Sequence, residues 1–291
     1  MKFKMFSVVV GTNACISNCP FCVSCEKPNK DNLKAENINI RNFKIALNLA
    51  NRSEIDTVML TSMGEPLLFP DQITDYLLEI NKSKIPFVEL QTNAILLWLN
   101  KDKYIPYLQQ WYDLGLTTIA ISTVHYNRII NDINYCTGQN KYPDLKSLVE
   151  FLHQLGFSVR LTCICMKEYI ENGSQALKYI QFANSINAEQ VTLRPLNLEY
   201  RREDAKKFTQ ENVLSDEQKE EIRNTLKKNG TKLLTLDRIG EIYDINGQNV
   251  CLSFPLTKYT RNEDPDNIRN LIFYPDGHIY YEWEMKGGIL L

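Results

Sequence analysis

Short runs of β-branched and aromatic residues alternate with amphipathic stretches along the first two-thirds of the chain. The runs predict strands at 6–10, 56–61, 86–92, 117–122, 157–164 and 190–194. Between them, apolar residues recur at helical spacing, as at Leu145, Leu148 and Leu152, and Gly156 is placed to end that helix. Strands that alternate with helices pair in parallel through right-handed crossovers. The pattern therefore predicts an α/β fold: a partial (βα)6 TIM-like barrel with a small C-terminal α+β extension, and chemistry at the C-terminal ends of the strands.

The pattern changes near residue 200. A stretch of interleaved acidic and basic residues around 215–228 predicts an exposed helix. Shorter β-rich pieces follow, and the last two, 271–274 and 279–281, flank a Pro-Asp-Gly turn that predicts a hairpin. We therefore predict a core barrel over residues 1–200 and a C-terminal cap or extension over residues 201–291.

Three cysteines, Cys15, Cys19 and Cys22, follow the first predicted strand at the spacing C-x3-C-x2-C. Thiolates are the usual ligands of iron–sulfur clusters, and a cubane has four irons, so three cysteines leave one iron open for a substrate or cofactor. The alternative is a non-catalytic zinc-binding module, because Cys25 follows closely and four thiolates can close a zinc site. Structural zinc sites usually draw two cysteine pairs from separate turns, which favours the cluster and leaves Cys25 without a ligand role.

A second motif, Met63-Gly64-Glu65-Pro66, lies just after the second predicted strand. Gly64 is expected to let the backbone approach a ligand closely, and the Glu65 carboxylate with exposed backbone groups can hold an ammonium group. Taken alone, Gly-Glu-Pro usually marks a turn. Its position at the end of a strand that follows the cysteine loop gives it functional meaning.

Strand alternation divides the later strands into an inner face and a helix-facing side. Alternation places five polar residues on the inner face: Ser122, Arg160, Thr162, Thr192 and Arg194. The same argument directs Cys163 and Cys165 toward the helices. An alternative for Arg160 is a structural ion pair with Glu89 inside the barrel.

The cysteine loop and the Gly-Glu-Pro motif together resemble the radical S-adenosylmethionine (SAM) superfamily. The resemblance covers roughly residues 5–197 and is closest to the branch of the molybdenum-cofactor GTP cyclase and the SPASM-type peptide-modifying enzymes. It implies a 4Fe-4S cluster on Cys15, Cys19 and Cys22, with SAM on the open iron. One-electron reduction then splits SAM into methionine and a 5'-deoxyadenosyl radical.

The same resemblance implies which residues contact SAM. Phe21 matches the aromatic that contacts the adenine, Met63, Gly64 and Glu65 match the motif that holds the amino group, and Ser122 matches a SAM-contacting serine. Candidate contacts to the SAM carboxylate, its ribose or the substrate are Arg160, Thr162 and Arg194, and Thr92 at the end of the third strand is a further candidate cofactor contact.

Three departures from the branch narrow the function. Met63 replaces the first glycine of the family's Gly-Gly-Glu-Pro, and Val8 and Leu60 stand where the cyclase has GTP-binding arginines. Only Cys251 lies in the last third of the chain, so the C-terminal cysteines of a second cluster are missing. We therefore expect a single-cluster enzyme.

The expected reaction is abstraction of hydrogen from a small-molecule or nucleotide substrate. The alternative is modification of a peptide by epimerisation or cross-linking, which the C-terminal hairpin favours. Cys251 is a candidate hydrogen donor to a substrate radical. The resemblance also implies an electron donor such as flavodoxin or ferredoxin.

Composition constrains the partners and the compartment. The chain has 291 residues and a formal net charge of −2, which gives no electrostatic indication of a nucleic-acid partner. No apolar run is long enough to predict a signal peptide or a membrane span. Eight cysteines in such a chain indicate a reducing compartment, so we expect a cytoplasmic protein.

Overall fold

The computed structural model describes most of the chain. The described residues are 2–22, 24, 29–136, 138–196, 203–236, 240–253, 267–281, 283 and 289–291. Cys25 lies outside them, so the structure does not address its predicted bystander role.

The described strands form a single eleven-stranded sheet in the order β11-β10-β1-β2-β3-β4-β5-β6-β9-β8-β7. The strands are β1 (Lys2–Val9), β2 (Thr57–Thr61), β3 (Phe87–Thr92), β4 (Thr118–Thr123), β5 (Ser158–Cys165), β6 (Gln190–Pro195), β7 (Thr231–Leu236), β8 (Gly240–Ile245), β9 (Gln248–Ser253), β10 (Asn267–Phe273) and β11 (Ile279–Tyr280). From β1 to β6, each strand pairs in parallel with the next one along the chain. This confirms the predicted α/β fold, a partial and open TIM-like barrel.

Helices connect the parallel strands. They are α1 (Ile40–Arg52), α2 (Pro70–Ile80), α3 (Ile95–Leu99), α4 (Lys101–Asp113), α5 (Arg128–Cys136), α6 (Leu145–Gln154), α7 (Gly173–Ser185), α8 (Glu203–Asn212) and α9 (Asp216–Asn229), with a 3₁₀ turn at Pro66–Leu68. Gly156 follows α6 at φ +91°, as the sequence predicts for a helix end. A capping box on Ser215 opens the predicted charged helix, α9. No helix among the described residues is long and apolar enough to cross a membrane.

The last third of the chain adds strands at both edges of the barrel sheet. β9 pairs in parallel with β6, and β10 pairs in parallel with β1. β8 and β7 continue antiparallel beyond β9, while β10 and β11 form the predicted hairpin. The strands of the predicted extension thus widen the inner face of the barrel, and the division at residue 200 stays a prediction about domain organisation.

Strand register separates the two faces of the sheet as alternation predicts. Ser122 on β4 is paired with Thr162 on β5, Thr162 with Thr192 on β6, and Thr192 with Cys251 on β9. Paired residues share a face, so these four side chains form one row on the inner face. On the opposite face of β5, Cys163 and Cys165 lie with 0% exposure. Their predicted helix-facing direction is correct.

A buried carboxylate on α5 fixes the loop between α5 and α6. Asp132 accepts hydrogen bonds from the backbone N–H groups of Asn140 (2.6 Å), Lys141 (2.6 Å) and Tyr142 (2.8 Å). Burial opposes the charged form, but the three donors outweigh it and hold the pKa of Asp132 below its ordinary value. Tyr142, positioned in this way, donates its hydroxyl hydrogen to the carbonyl oxygen of Ser122 at 2.6 Å.

Asp132→Asn is expected to lower the free energy of unfolding by about 2 kcal/mol at neutral pH, because hydrogen bonds to a charged acceptor are lost. Because the pKa of Asp132 in the folded state lies below the ordinary value of 3.8, its carboxylate stabilises the fold at pH values above 3.8. This stabilisation is lost as the pH falls through the folded-state pKa. The difference in the free energy of unfolding between wild type and Asp132→Asn should therefore become smaller below the folded-state pKa of Asp132. Urea unfolding across a pH series measures it, with the exposed Asp113→Asn as control. An equal difference at all pH values would contradict this assignment.

Candidate functional site

The three cysteines of the C-x3-C-x2-C motif lie on the loop that leaves the C-terminal end of β1. All three are half-buried, and none of the described cysteines forms a disulfide. The loop turns at its end, where the Cys22 N–H donates to the Cys19 carbonyl oxygen at 3.2 Å. Within the loop, the Ser17 N–H lies 3.4 Å from the Cys15 sulfur. Backbone geometry thus presents these thiols together at one end of the barrel.

The chemistry of the three thiols fits an iron–sulfur cluster. Burial raises the pKa of Cys15 to about 12, and Glu65 and Cys22 add to the shift. Burial likewise raises the pKa of Cys19, with the neighbouring Cys22 and Cys15 as further causes. Buried thiolates in mutual repulsion need a cation to hold them deprotonated, and iron supplies that charge.

The three thiols are compatible with a cubane. Among the described residues, no three cysteine, histidine or carboxylate side chains converge as the ligands of one metal ion do. A cubane does not need such convergence, because each cysteine bonds to a different iron. The fourth ligand of the zinc alternative, Cys25, belongs to the undescribed part of the loop.

Gly64 packs against the cysteine loop itself. A Cβ at this position would overlap the carbonyl oxygen of Ala14, the residue before Cys15, and would crowd Asn13 as well. The next residue, Glu65, donates its backbone N–H to that same Ala14 oxygen at 2.8 Å. The sequence predicts a close backbone approach of Gly64 to a ligand, and the close neighbour in the structure is the loop that carries the predicted cluster ligands. Any contact of Gly64 with SAM stays a prediction.

The Glu65 carboxylate is buried and accepts hydrogen bonds from three residues. Its Oε1 accepts from the Leu67 N–H (3.1 Å) and the Thr92 hydroxyl (2.5 Å), and its Oε2 accepts from the Asn93 N–H (3.1 Å). Burial raises the pKa of Glu65 to about 7, against the pull of these donors. The carboxylate therefore ties the segment after β2 to the end of β3, and the predicted contact of this segment with the SAM amino group stays a prediction.

Thr92 hydrogen-bonds the Glu65 carboxylate from the helix-facing side of β3. It is paired with Ile121 across β3 and β4, and not with the inner-face residues. Its hydroxyl donates to Glu65 and accepts from the Ala94 N–H at 2.9 Å. Thr92 thus positions Glu65, and its predicted contact with the cofactor stays a prediction.

Two residues of the site are absent from the sequence-based predictions. Asn93 donates its side-chain N–H to the Ser17 hydroxyl at 3.1 Å, and both side chains are buried. Ser17 stands inside the cysteine motif, so this bond joins the cluster loop to the end of β3. A polar residue directly after a predicted strand was the available signal, because such positions lie at the catalytic end of a barrel.

Phe21 and Met63 both pack against other parts of the fold. The Phe21 ring is 6% exposed and lies edge-on to Tyr135 at 5.5 Å between centroids, with Phe208 of α8 at 6.4 Å. Met63 packs against a small inner-face cluster of Val9, Ile272, Tyr274 and Tyr280, near the C-terminal hairpin. Their predicted SAM contacts stay predictions.

The arginines and polar residues of the inner face differ in their surroundings. Arg160 forms an ion pair with Glu89, the structural alternative that the sequence left open. Arg194 is exposed at the C-terminal end of β6, on the same face as Thr162 and Thr192. The hydroxyls of these two threonines are buried without a hydrogen-bond partner among the described residues. Cys251 is 9% exposed and lies within β9, so it forms part of the barrel wall.

Gly64→Ala is expected to displace the cysteine loop, since the added methyl group meets the Ala14 backbone. Iron content after anaerobic reconstitution should fall severalfold. Gly247→Asn in the β8–β9 turn is the matched control, because a Cβ there meets nothing within 4 Å. Full iron content in Gly64→Ala would contradict the packing of Gly64 against the cysteine loop. If SAM affinity alone fell, Gly64 would instead contact the cofactor.

Comparison with known proteins identifies the family. The family model of the radical SAM superfamily matches residues 9–180, a range that contains the last residue of β1, the cysteine loop, the Gly64–Glu65 segment and β2 to β5. No curated protein matches the sequence.

Solved structures of radical SAM enzymes share the fold. SuiB from Streptococcus suis bound to precursor peptide SuiA is 12% identical, with a TM-score of 0.56, over 97% of this chain and 60% of SuiB. anSMEcpe with bound AdoMet and Kp18Cys peptide is 9% identical, with a TM-score of 0.58, over 97% of this chain and 75% of that one. The methylornithine synthase PylB is 13% identical, with a TM-score of 0.53, over 77% of this chain and 62% of PylB.

The chain thus spans about 60% of the length of SuiB, and the low identities show the fold alone. The family model rests on sequence and covers more than half of the chain, including every predicted cluster ligand. This chain therefore belongs to the radical SAM superfamily.

Proposed function

We propose that this protein is a single-cluster radical SAM enzyme that abstracts a hydrogen atom from a small, polar organic substrate. Members of the superfamily use a 4Fe-4S cluster and SAM. When bound, these groups supply an electron and a 5'-deoxyadenosyl radical. The chain itself holds the ligands in place, orients the substrate and excludes water.

The observation that carries the proposal is the junction between the cysteine loop and the Gly64–Glu65 segment. Ala14 accepts the Glu65 N–H directly before the first cysteine of the motif. Glu65 in turn holds the end of β3 through Asn93, and Asn93 holds Ser17 inside the motif. The groups proposed to bind the cluster and the SAM ammonium are thus parts of one hydrogen-bonded unit.

Ser122 on β4, the strand next to β3, is a proposed SAM contact. Tyr142 fixes its backbone, and Asp132 fixes Tyr142, so the serine is held by a chain of buried polar contacts. Arg160 is neutralised by Glu89 and is therefore better suited to support the wall than to bind an anionic group. Arg194, exposed at the C-terminal end of β6, is another candidate for a substrate or SAM carboxylate.

A small polar substrate is favoured by the lining of the inner face. Gln190 and Asn249 are joined by a 2.9 Å hydrogen bond, and the row above them consists of threonine and cysteine side chains. Peptide modification is the second candidate, supported by the peptides present with SuiB and anSMEcpe. In either case the reaction needs an electron donor, for which flavodoxin or ferredoxin is proposed. The cysteine content supports a reducing compartment such as the cytoplasm.

Replacing Cys15, Cys19 or Cys22 by Ala is expected to abolish reductive SAM cleavage, because each thiolate carries one iron of the cluster. The measurement is 5'-deoxyadenosine formed by the anaerobically reconstituted protein with dithionite and SAM. The wild type should be brown and form 5'-deoxyadenosine, and each variant should form none above background.

Cys25→Ala and Cys165→Ala are the matched controls. Cys25 tests the zinc alternative, and Cys165 is a buried helix-facing thiol outside the site. Both variants should keep iron content and cleavage close to wild type. Equal loss of iron in Cys25→Ala would assign a fourth protein ligand, and a colourless zinc protein would overturn the proposed function.

A further inference from the structure

The inner face of the sheet has a second chemical centre, away from the cysteine loop. Thr162 on β5, Thr192 on β6 and Cys251 on β9 occupy one level of three neighbouring parallel strands. We refer to these three residues as the threonine–cysteine row. It begins beside Ser122, the proposed SAM contact, and extends away from β1 and the cluster loop.

Both threonine hydroxyls of the row lack a hydrogen-bond partner among the described residues. Thr162 is 8% exposed and Thr192 is 4% exposed. A buried hydroxyl without a partner costs free energy, so its retention points to a group outside the protein that completes the bond. By contrast, the Thr123 hydroxyl on the helix-facing side lies 2.6 Å from the Tyr179 hydroxyl. The unsatisfied hydroxyls of Thr162 and Thr192 thus lie on the inner face, where a ligand would lie.

Cys251 completes the row at its far end. Its partner across the β6–β9 ladder is Thr192, so its side chain lies on the same inner face as the two hydroxyls. An S–H bond is weaker than most C–H bonds, and a thiol therefore transfers hydrogen to carbon radicals readily. Cys163 and Cys165, on the helix-facing side, have no such access.

We propose that the threonine–cysteine row is the substrate-binding wall and that Cys251 is a catalytic residue that returns a hydrogen atom to the substrate radical. This rests on the proposed function, since it needs the radical formed from SAM. Thr162 and Thr192 hydrogen-bond a polar substrate that carries hydroxyl or amide groups. SAM acts from the cluster side and Cys251 from β9, so hydrogen leaves one face of the carbon and returns to the other. The outcome is inversion of that carbon without net oxidation.

The proposed step balances in atoms and electrons. The 5'-deoxyadenosyl radical takes a hydrogen atom from the substrate and becomes 5'-deoxyadenosine. The S–H bond of Cys251 then breaks, a new C–H bond forms on the substrate, and a thiyl radical remains on the sulfur. One electron from the low-potential donor, with one proton from water, restores the thiol.

A labelling experiment tests Cys251 without knowledge of the substrate. The reconstituted holoenzyme is reduced with dithionite in D2O, with SAM alone and no added thiol, so that Cys251 carries S–D. The radical then takes deuterium from this thiol, and mass spectrometry of 5'-deoxyadenosine should show one solvent deuterium in the wild type. Cys251→Ala and Cys251→Ser should lose most of that label, while Cys163→Ala should retain it.

The total amount of 5'-deoxyadenosine distinguishes a failure of the proposed function from a failure of the proposed role of Cys251. If no variant and no wild-type sample forms it, the proposed function fails. If it forms normally but carries no deuterium in the wild type, or keeps its deuterium in both Cys251 variants, the role of Cys251 is overturned.

A stability measurement tests the threonines in the protein without cluster or SAM. Thr192→Val removes a hydroxyl that has no partner among the described residues, so the Tm should stay unchanged or rise. Thr123→Val removes the hydrogen-bonded hydroxyl and should lower the Tm by about 2 °C or more. An equal loss in Thr192→Val would show that its hydroxyl serves the fold, which would overturn its assignment to substrate.

Discussion

The burial of the Glu65 carboxylate is the constraint on which the rest of the site depends. A buried carboxylate is tolerated only when its oxygens accept hydrogen bonds, and here the donors come from Leu67, Thr92 and Asn93. Satisfying Glu65 therefore fixes the segment after β2 against the end of β3. The backbone of Glu65 holds Ala14 at the same time, so the cysteine loop is fixed by the same residue.

The inner face of the sheet has an apolar side and a polar side. On the β1 and β10 side, Val9, Met63 and Tyr274 pack in a small apolar cluster that includes the C-terminal hairpin. On the β5, β6 and β9 side, the face carries hydroxyl, amide and thiol groups. Because β9 extends the parallel sheet next to β6, the last third of the chain supplies part of the polar side.

Local sequence patterns predicted the parts of the structure that depend on local forces. Strand alternation placed Ser122 and Thr162 on the inner face correctly, since the period of a strand is fixed by its backbone. The pairing of β9 with β6 was not predicted, because it joins segments far apart along the chain. The true neighbour of Gly64 and the bond between Asn93 and Ser17 were missed for the same reason. Such contacts follow from tertiary packing, which a one-dimensional pattern does not contain.

Electron paramagnetic resonance of the reduced, anaerobically reconstituted protein, recorded with and without SAM, tests the central claim most directly. A cluster held by Cys15, Cys19 and Cys22 has one iron open to SAM, so addition of SAM should shift the spectrum of a protein that contains about four irons per chain. A spectrum that does not respond to SAM, or a protein that binds one zinc and gives no signal, would contradict the account.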